Sequence, residues 1–245
     1  MITWLNPLDP FPSTSQAWAE TTDAPGLLAA GGDLSIARLT SAYRQGIFPW
    51  FSEGQPLLWW TPDPRMVLPV AEFKLTRSLR KTIAKFRQTP GCEIRIDFAF
   101  NQVIEACANA PRHGQGGTWI VPAMQAAYKE WHAAGTVHSF ETWVDGQVVG
   151  ALYGISLGRM FYGESMFTQQ ADASKIALAA LVCFCRANGI KVIDCQQRTS
   201  HLASLGGRTW PRAEFEAHLR EVVDLKGPEV WAYDELFWSH LDTAA

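Results

Sequence analysis

The chain of 245 residues has no long apolar run, no CxxC pair and no surplus of positive charge, and each absence removes a class of protein. No window reaches the roughly 20 apolar residues a membrane-spanning helix needs, and the start, MITWLNPLDPFPS, lacks the basic-then-apolar order of a secretion signal. The expectation is a cytoplasmic protein with no membrane partner. The five cysteines are odd in number and show no metal-like Cys/His spacing, which suits a reducing compartment and points to no metal site. Acidic residues outnumber basic ones, 24 to 21, so any contact with nucleic acid has to come from a local basic patch and not from the overall field. No repeats, heptads or low-complexity segments occur. A hydrophobic content of 47% supplies a core for one large domain, or for a small and a larger one.

What is present is organised around residues 160–205, which read as strand, loop, helix, strand. Met160 to Phe167 alternates faces, Asp172 or Ser174 can cap a helix with the apolar stripe Ile176, Leu178, Ala179, Leu181, Val182 and Cys185, and Asn188-Gly189 ends it. Ile190 to Gln196 is then a short apolar run of strand length. Two strands joined by one helix should lie parallel and finish at the same sheet edge, where ligands bind in sheets of this kind. A strict period of two places Asp194 and Gln196 on one face and Ile193 and Cys195 on the other, with Glu164 sharing a face with Tyr162 and Met166. Glu164, Asp194 and Gln196 are therefore expected to converge. Ordinary polar strand ends in water would give the same pattern, but acids set among Met, Phe and Ile are costly to bury without partners or a purpose. Cys195 ahead of His201 suggests a Cys-His nucleophile only weakly, since Cys195 should face away from Asp194.

Upstream, residues 11–70 are rich in Pro, Gly and Trp and contain one clear helix, with Ser35 capping Ile36 to Gln45 and Gly46 stopping it; irregular structure is expected around it. Lys74 to Arg87 is the local basic patch. Leu75, Leu79, Ile83 and Phe86 mark one helical face, Arg77, Lys81 and Lys85 recur on another, and Lys74, Arg80 and Arg87 lie nearby, with no acid between Glu72 and Glu93. A solvated face explains such a run, and so does phosphate binding. Cys92 to Ile96 reads as a strand, Asp97 as the cap of a helix through Ala108, residues 111–117 as a mobile loop, and Pro122 as the start of a helix ended by Gly135. An antiparallel meander follows, turning at Asp145-Gly146 and Gly158; His138 within it reads better as a satisfied buried histidine than as a base. A helix over 212–222 and an aromatic tail with Trp231, Phe237 and Trp238 close the chain.

GESMF at 163–167, ASKIAL at 173–178, IDCQ at 193–196 and HLASLG at 201–206 together resemble the leucyl/phenylalanyl-tRNA–protein transferase family. GLLAAGGDLS at 26–35, AYRQGIFPWF at 42–51, WWTPDPR at 59–65, GTWI at 117–120 and LYG at 152–154 fit it too, so the resemblance covers about residues 11–220 in order. Thr61, Ala151, Thr168 and Gly207 stand where the family pattern carries Ser, Gly, Ser and Ala. The resemblance implies an aminoacyltransferase that moves Leu, Phe or Met from tRNA to the α-amine of proteins beginning with Arg or Lys, yielding N-degron products. It needs no cofactor, no metal and no covalent enzyme nucleophile.

The antiparallel meander, crossover helix and strand resemble a GNAT-type acyltransferase fold, so the expected architecture is α+β: a small irregular N-terminal domain (1–70) and a GNAT-like domain (71–245) with a mixed, largely antiparallel sheet flanked by helices. The transferase resemblance adds roles for single residues. It implies that Asp194 orients Gln196 and Gln196 holds the attacking amine, with Glu164 recognising the acceptor's charge, although the roles of the two acids can be exchanged. One ring of the Trp59-Trp60 pair, with Trp60 as the candidate, would bracket the terminal adenosine with Trp119. The donor side chain would enter a pocket of Leu152, Phe161, Met166, Leu178, Leu181 and Ile193, and the basic helix, through Lys74, Arg77, Arg80, Lys81 and Lys85, would hold the tRNA backbone. Two alternatives stay open: an acetyl-CoA-dependent N-acetyltransferase, against which the loop TQQADAS counts because it has no glycine to cradle a pyrophosphate, and a non-catalytic RNA-binding module.

Overall fold

The computed structural model describes residues 2–110 and 119–241, so the loop expected over 111–117 lies outside the described residues. The N-terminal stretch is irregular over much of its length but also contains short strands that were not expected. It forms a four-stranded sheet from β1 (Thr3–Leu5), β2 (Leu27–Gly31), β3 (Phe48–Pro49) and β4 (Leu58–Trp60), in the order β1-β2-β4-β3. These strands are too short for a period of two to show in the sequence. Between them lies α1 (Ile36–Arg44), with the Ser35 hydroxyl accepting the Arg38 N–H at 3.3 Å and Gly46 at φ 73° just beyond its end.

The larger sheet has seven strands. Its members are β5 (Arg65–Pro69), β6 (Cys92–Ile96), β7 (Val137–Val144), β8 (Gln147–Leu157), β9 (Met160–Thr168), β10 (Val192–Gln196) and β11 (Arg208–Trp210), ordered β11-β5-β10-β9-β8-β7-β6. The fold is thus α+β with a mixed sheet in which only β9 and β10 pair in parallel, as the β-α-β reading of 160–196 requires. The helices are α2 (Arg77–Gln88), α3 (Phe100–Asn109), α4 (Pro122–Ala133), α5 (Ala173–Ala187), α6 (Ser200–Ser204) and α7 (Arg212–Val222). One apolar cluster joins Leu28 and Trp59 of the small sheet to Tyr153 of the large one and to Ile104 of α3 and Tyr128 of α4. A second gathers α2, α5 and the closing aromatic segment on the other face, through Ile83, Leu178, Phe184 and Trp238.

At two expected caps the carboxylate is engaged elsewhere and makes no cap bond. Asp172 sits in the left-handed region at φ 64° and gives no cap bond to α5; its carboxylate takes the Lys175 ammonium at 2.8 Å. Asp97, at φ 60°, accepts the Ser139 N–H at 2.7 Å and lies 2.6 Å from His138 Nδ1, while the Ala99 N–H at the head of α3 goes to Glu141 Oε1 at 2.8 Å.

Two β-bulges overturn the strict alternation expected of the central strands. Tyr153 pairs with Ser165 but Gly154 pairs with Gly163, which makes Glu164 the extra residue of β9. Tyr162 consequently packs in the first cluster and Met166 against the second, so the two do not share a face. Gly154 permits the close approach, since a Cβ there would collide with the Tyr162 carbonyl oxygen. On β10, Asp194 pairs with Val67 and Gln196 with Met66, so Cys195 is the extra residue and Gln196 is turned to φ 59°.

Candidate active site

The two bulges lie on neighbouring strands, and the three expected polar residues, Asp194, Gln196 and Glu164, sit beside them, although only Glu164 and Gln196 meet through their side chains. The innermost is Asp194, fully buried together with Arg65, whose Nε and Nη2 reach the two carboxylate oxygens at 2.8 and 2.6 Å. The third guanidinium nitrogen donates to the Gly46 carbonyl at 3.0 Å, and the rings of Phe48 and Phe215 each lie 4.8 Å from its centre. This is a desolvated bidentate pair, in which each charge is tolerable only because the other is present. Asp194 Oδ1 also accepts the backbone N–H of Gln196 at 2.9 Å. That bond holds Gln196 in its left-handed conformation, so the expected link between the two residues runs through backbone and not through the Gln side chain.

The Gln196 side chain turns instead to Glu164, donating from Nε2 to Oε1 at 2.7 Å. Glu164 further contacts the Tyr43 hydroxyl at 2.8 Å and the Tyr128 hydroxyl at 3.2 Å, and these hydroxyls are 2.8 Å from each other. Burial pushes Glu164 up to about 8, with the charge of Asp194 adding to it and the two tyrosine bonds opposing it. The counting of hydrogens agrees. Three oxygen–oxygen contacts share two hydroxyl hydrogens, and a proton on the carboxyl supplies the third. Burial and the nearby carboxylate also raise Tyr43 and Tyr128, which therefore remain neutral donors. Burial raises the Cys195 thiol as well, with Asp194 adding to it, which removes it as a thiolate nucleophile.

Glu164 stands where two cavities meet. One, of about 220 Å³, is lined by Phe48, Trp50, Trp119, Gln196 and Gln197. The other, of about 310 Å³, is largely apolar and lined by Leu152, Met166, Leu178, Leu181 and Ile193, with His201 of α6 at its wall. Phe161, expected among these, is fully buried beneath and does not line the space. Among the described residues no three His, Cys, Asp or Glu side chains come together as metal ligands would. His138 is buried against Asp97 and stacked 3.4 Å from the Trp231 ring, which is a structural role.

The family's sequence profile, described as leucyl/phenylalanyl-tRNA protein transferase, matches residues 67–220, and the profile of its N-terminal domain matches residues 32–63. This chain belongs to the leucyl/phenylalanyl-tRNA protein transferase family. A leucyl/phenylalanyl-tRNA–protein transferase of Methylibium petroleiphilum is 62% identical over 242 residues, covering 98% of this chain and 91% of the relative. That of Leptothrix cholodnii is 62% identical, covering 98% and 95%, and that of Burkholderia pseudomallei 55%, covering 96% and 92%. Among solved structures, an L-PGS from Bacillus licheniformis matches at a TM-score of 0.39 and 10% identity over 69% of this chain and 54% of that one, too low to establish a shared fold.

Within the family's blocks, the tryptophans are arranged differently from the expectation. Trp59 is fully buried, its Nε1–H given to the Gly31 carbonyl at 2.8 Å. Trp60 stands behind Trp50, donating to the Trp50 carbonyl at 2.7 Å with the ring centres 5.3 Å apart. The ring that faces the cavity with Trp119 is therefore Trp50, from the block AYRQGIFPWF. On α2, Leu79, Ile83 and Phe86 are buried and Arg77, Arg80, Lys81 and Lys85 are exposed, as is Lys74 just ahead of it. This helix packs against α5, whose Leu178 and Leu181 line the apolar cavity.

Proposed function

We propose that the chain moves leucyl, phenylalanyl or methionyl groups from tRNA to the N-terminal α-amine of proteins beginning with Arg or Lys, in the cytoplasm, marking them for degradation. Transfer of aminoacyl groups from tRNA to protein is the activity of its family; the donor and acceptor detail is the part proposed. The observation that carries it is the Glu164–Gln196 contact at the junction of an aromatic-walled cavity and an apolar one. Stacking on Trp50 and Trp119 suits the terminal adenine, at about 1–3 kcal/mol per base, and the apolar cavity suits the donor side chain. The ester carbonyl then lies at the junction.

Gln196 has committed its Nε2 to Glu164, which leaves its carbonyl oxygen to accept an N–H from the incoming amine. The amine nitrogen attacks the ester carbon, the bond to the ribose oxygen breaks, and the proton lost by the amine ends on that oxygen. Positioning can recover on the order of 7–11 kcal/mol of the barrier, and the activated ester needs no enzyme nucleophile. Glu164, at about 8, is matched to an α-amine of about 7.7–8.0, so one group can both relay the proton and, once ionised, attract the cationic acceptor. Asp194 is neutralised by Arg65 and out of reach of substrate, so it is a positioning residue. Lys74, Arg77, Arg80, Lys81 and Lys85 provide the phosphate-binding face. The domains 1–70 and 71–245 and a GNAT-like core are proposed on the meander and β-α-β order.

An acetyl-CoA enzyme is disfavoured by the carboxylate of Asp172 at the head of α5, where a pyrophosphate would need backbone N–H groups and no negative charge. Incubating the protein with leucyl-tRNA, acetyl-CoA and an Arg-starting peptide tests the proposal. A leucylated peptide is expected; an acetylated one, or none, contradicts it.

A further inference from the structure

Strand alternation would send Gln196 and Gln197 to opposite sides, yet both line the cavity that holds Trp50 and Trp119. The backbone between them departs from a strand. Gln196 sits at φ 59°, and the Gln197 N–H folds back onto the Cys195 carbonyl at 2.7 Å, so the pleat of β10 breaks off where the strand ends. Two neighbouring carboxamides thereby reach one cavity.

The other polar groups of that cavity are largely spent. Glu164 is held by Tyr43 and Tyr128 and takes an N–H of Gln196, the Thr199 hydroxyl accepts the Leu202 N–H at 3.2 Å as the cap of α6, and the Cys195 thiol turns to the Ile193 carbonyl at 3.7 Å. Gln197 differs. It is exposed, and its side chain makes no hydrogen bond among the described residues. A carboxamide presents a donor and an acceptor side by side, so Gln197 brings an uncommitted pair of both kinds to an aromatic-walled cavity.

A flat ring stacked on Trp50 and Trp119 has its faces covered and its edges open. On adenine the N6 amine donates and the ring nitrogen beside it, N7 or N1, accepts, which is the complement of a carboxamide. We propose that Gln197 is a further substrate-recognition residue, which reads the N6-bearing edge of the terminal adenine of the donor tRNA. Its carbonyl oxygen accepts an N6 hydrogen, and its N–H donates to the adjacent ring nitrogen. The assignment rests on the stacking of the terminal adenosine in this cavity and adds a hydrogen-bonded contact to it.

The test is calorimetric titration of the full chain with a CCA trinucleotide ending in 3′-leucylamido-adenosine, an uncleavable stand-in for the ester. The same compound is compared with purine, which lacks the N6 amine, with 1-deazaadenine or 7-deazaadenine, or with no base at its terminus. In the wild-type chain the purine form should bind about five- to tenfold more weakly than the adenine form. In Gln197→Ala, which removes an exposed side chain and no bond of the fold, the two forms should bind alike. A loss with 7-deazaadenine assigns the contact to N7, and a loss with 1-deazaadenine assigns it to N1. The same ratio of adenine to purine affinity in both chains overturns the role of Gln197, while a weakened abasic form leaves the stacking standing. An abasic form that binds as tightly as the adenine form overturns the adenosine cavity and this proposal with it.

Discussion

Replacing Asp194 by Asn is a small change in shape with a large expected cost. The side chain faces two Arg65 donors at 2.8 and 2.6 Å, and an amide can accept only one of them while presenting an N–H₂ to the other. Arg65 would be left fully buried with the Gly46 carbonyl and two phenyl faces as its surroundings. Breaking one partner of such a pair typically costs about 3–5 kcal/mol, because the remaining charge is uncompensated. The same substitution loosens the acceptor of the Gln196 N–H, and a displacement of about 1 Å at a reacting centre lowers turnover by about 10²-fold. Loss of the Asp194 charge, with Arg65 unmasked, also lowers the Glu164 pKa, since Asp194 raises it and Arg65 lowers it. Urea unfolding and the pH profile of leucyl transfer should therefore change together: a lower midpoint, slower turnover, and the limb assigned to Glu164 displaced to lower pH. The double variant Arg65→Leu/Asp194→Asn should be less destabilised than the sum of the singles. Wild-type stability with wild-type turnover in Asp194→Asn would refute the reasoning.

Three further outcomes are expected. Glu164 binds its proton more tightly in the folded chain, near 8 against 4.5 for the free side chain, so its contribution is fully present below about 4.5 and is lost as pH rises through about 8. The stability of Glu164→Gln, measured by urea unfolding, should consequently rise relative to wild type as pH increases between those values; parallel stability curves would contradict the burial argument. The apolar cavity should discriminate against β-branched donors by about 1–3 kcal/mol per misplaced methylene, making isoleucyl-tRNA slower than leucyl-tRNA in single-turnover transfer, and equal rates would show the cavity misassigned. Replacing Arg77, Lys81 and Lys85 by Ala should flatten the log–log salt dependence of tRNA binding by about 0.7–0.9 per lost phosphate contact, and an unchanged slope would exclude α2 from the interface.

The β-α-β order and the meander were legible because their punctuation is local: Asn188-Gly189, Asp145-Gly146 and Gly158 stop each element where the apolar pattern stops. The meeting of Glu164 with Gln196 followed from parallel strands ending at one edge, even though the alternation behind it is broken by two bulges. Bulges leave no mark in the hydrophobic pattern, and so the face of Met166 was misread. Arg65 was out of reach for a different reason. Its partner lies 129 positions away, and a single Arg ahead of Met66-Val-Leu-Pro carries no local signal beyond being a charge at the start of a buried strand. The tyrosines that hold Glu164 look like core residues of α1 and α4, and burial is indeed what sets their chemistry. Replacing the expected Trp59-Trp60 pair by Trp50 required the small sheet, where β4 puts Trp59 inside and Trp60 behind Trp50.

The central claim is that the amine is held by Gln196 at the Glu164 junction. Single-turnover transfer from leucyl-tRNA to an Arg-starting peptide by Gln196→Ala, with enzyme in excess, isolates that step from product release. The account predicts a rate lowered by about 10²-fold or more at saturating leucyl-tRNA. A near-normal rate in that variant would place the chemistry elsewhere.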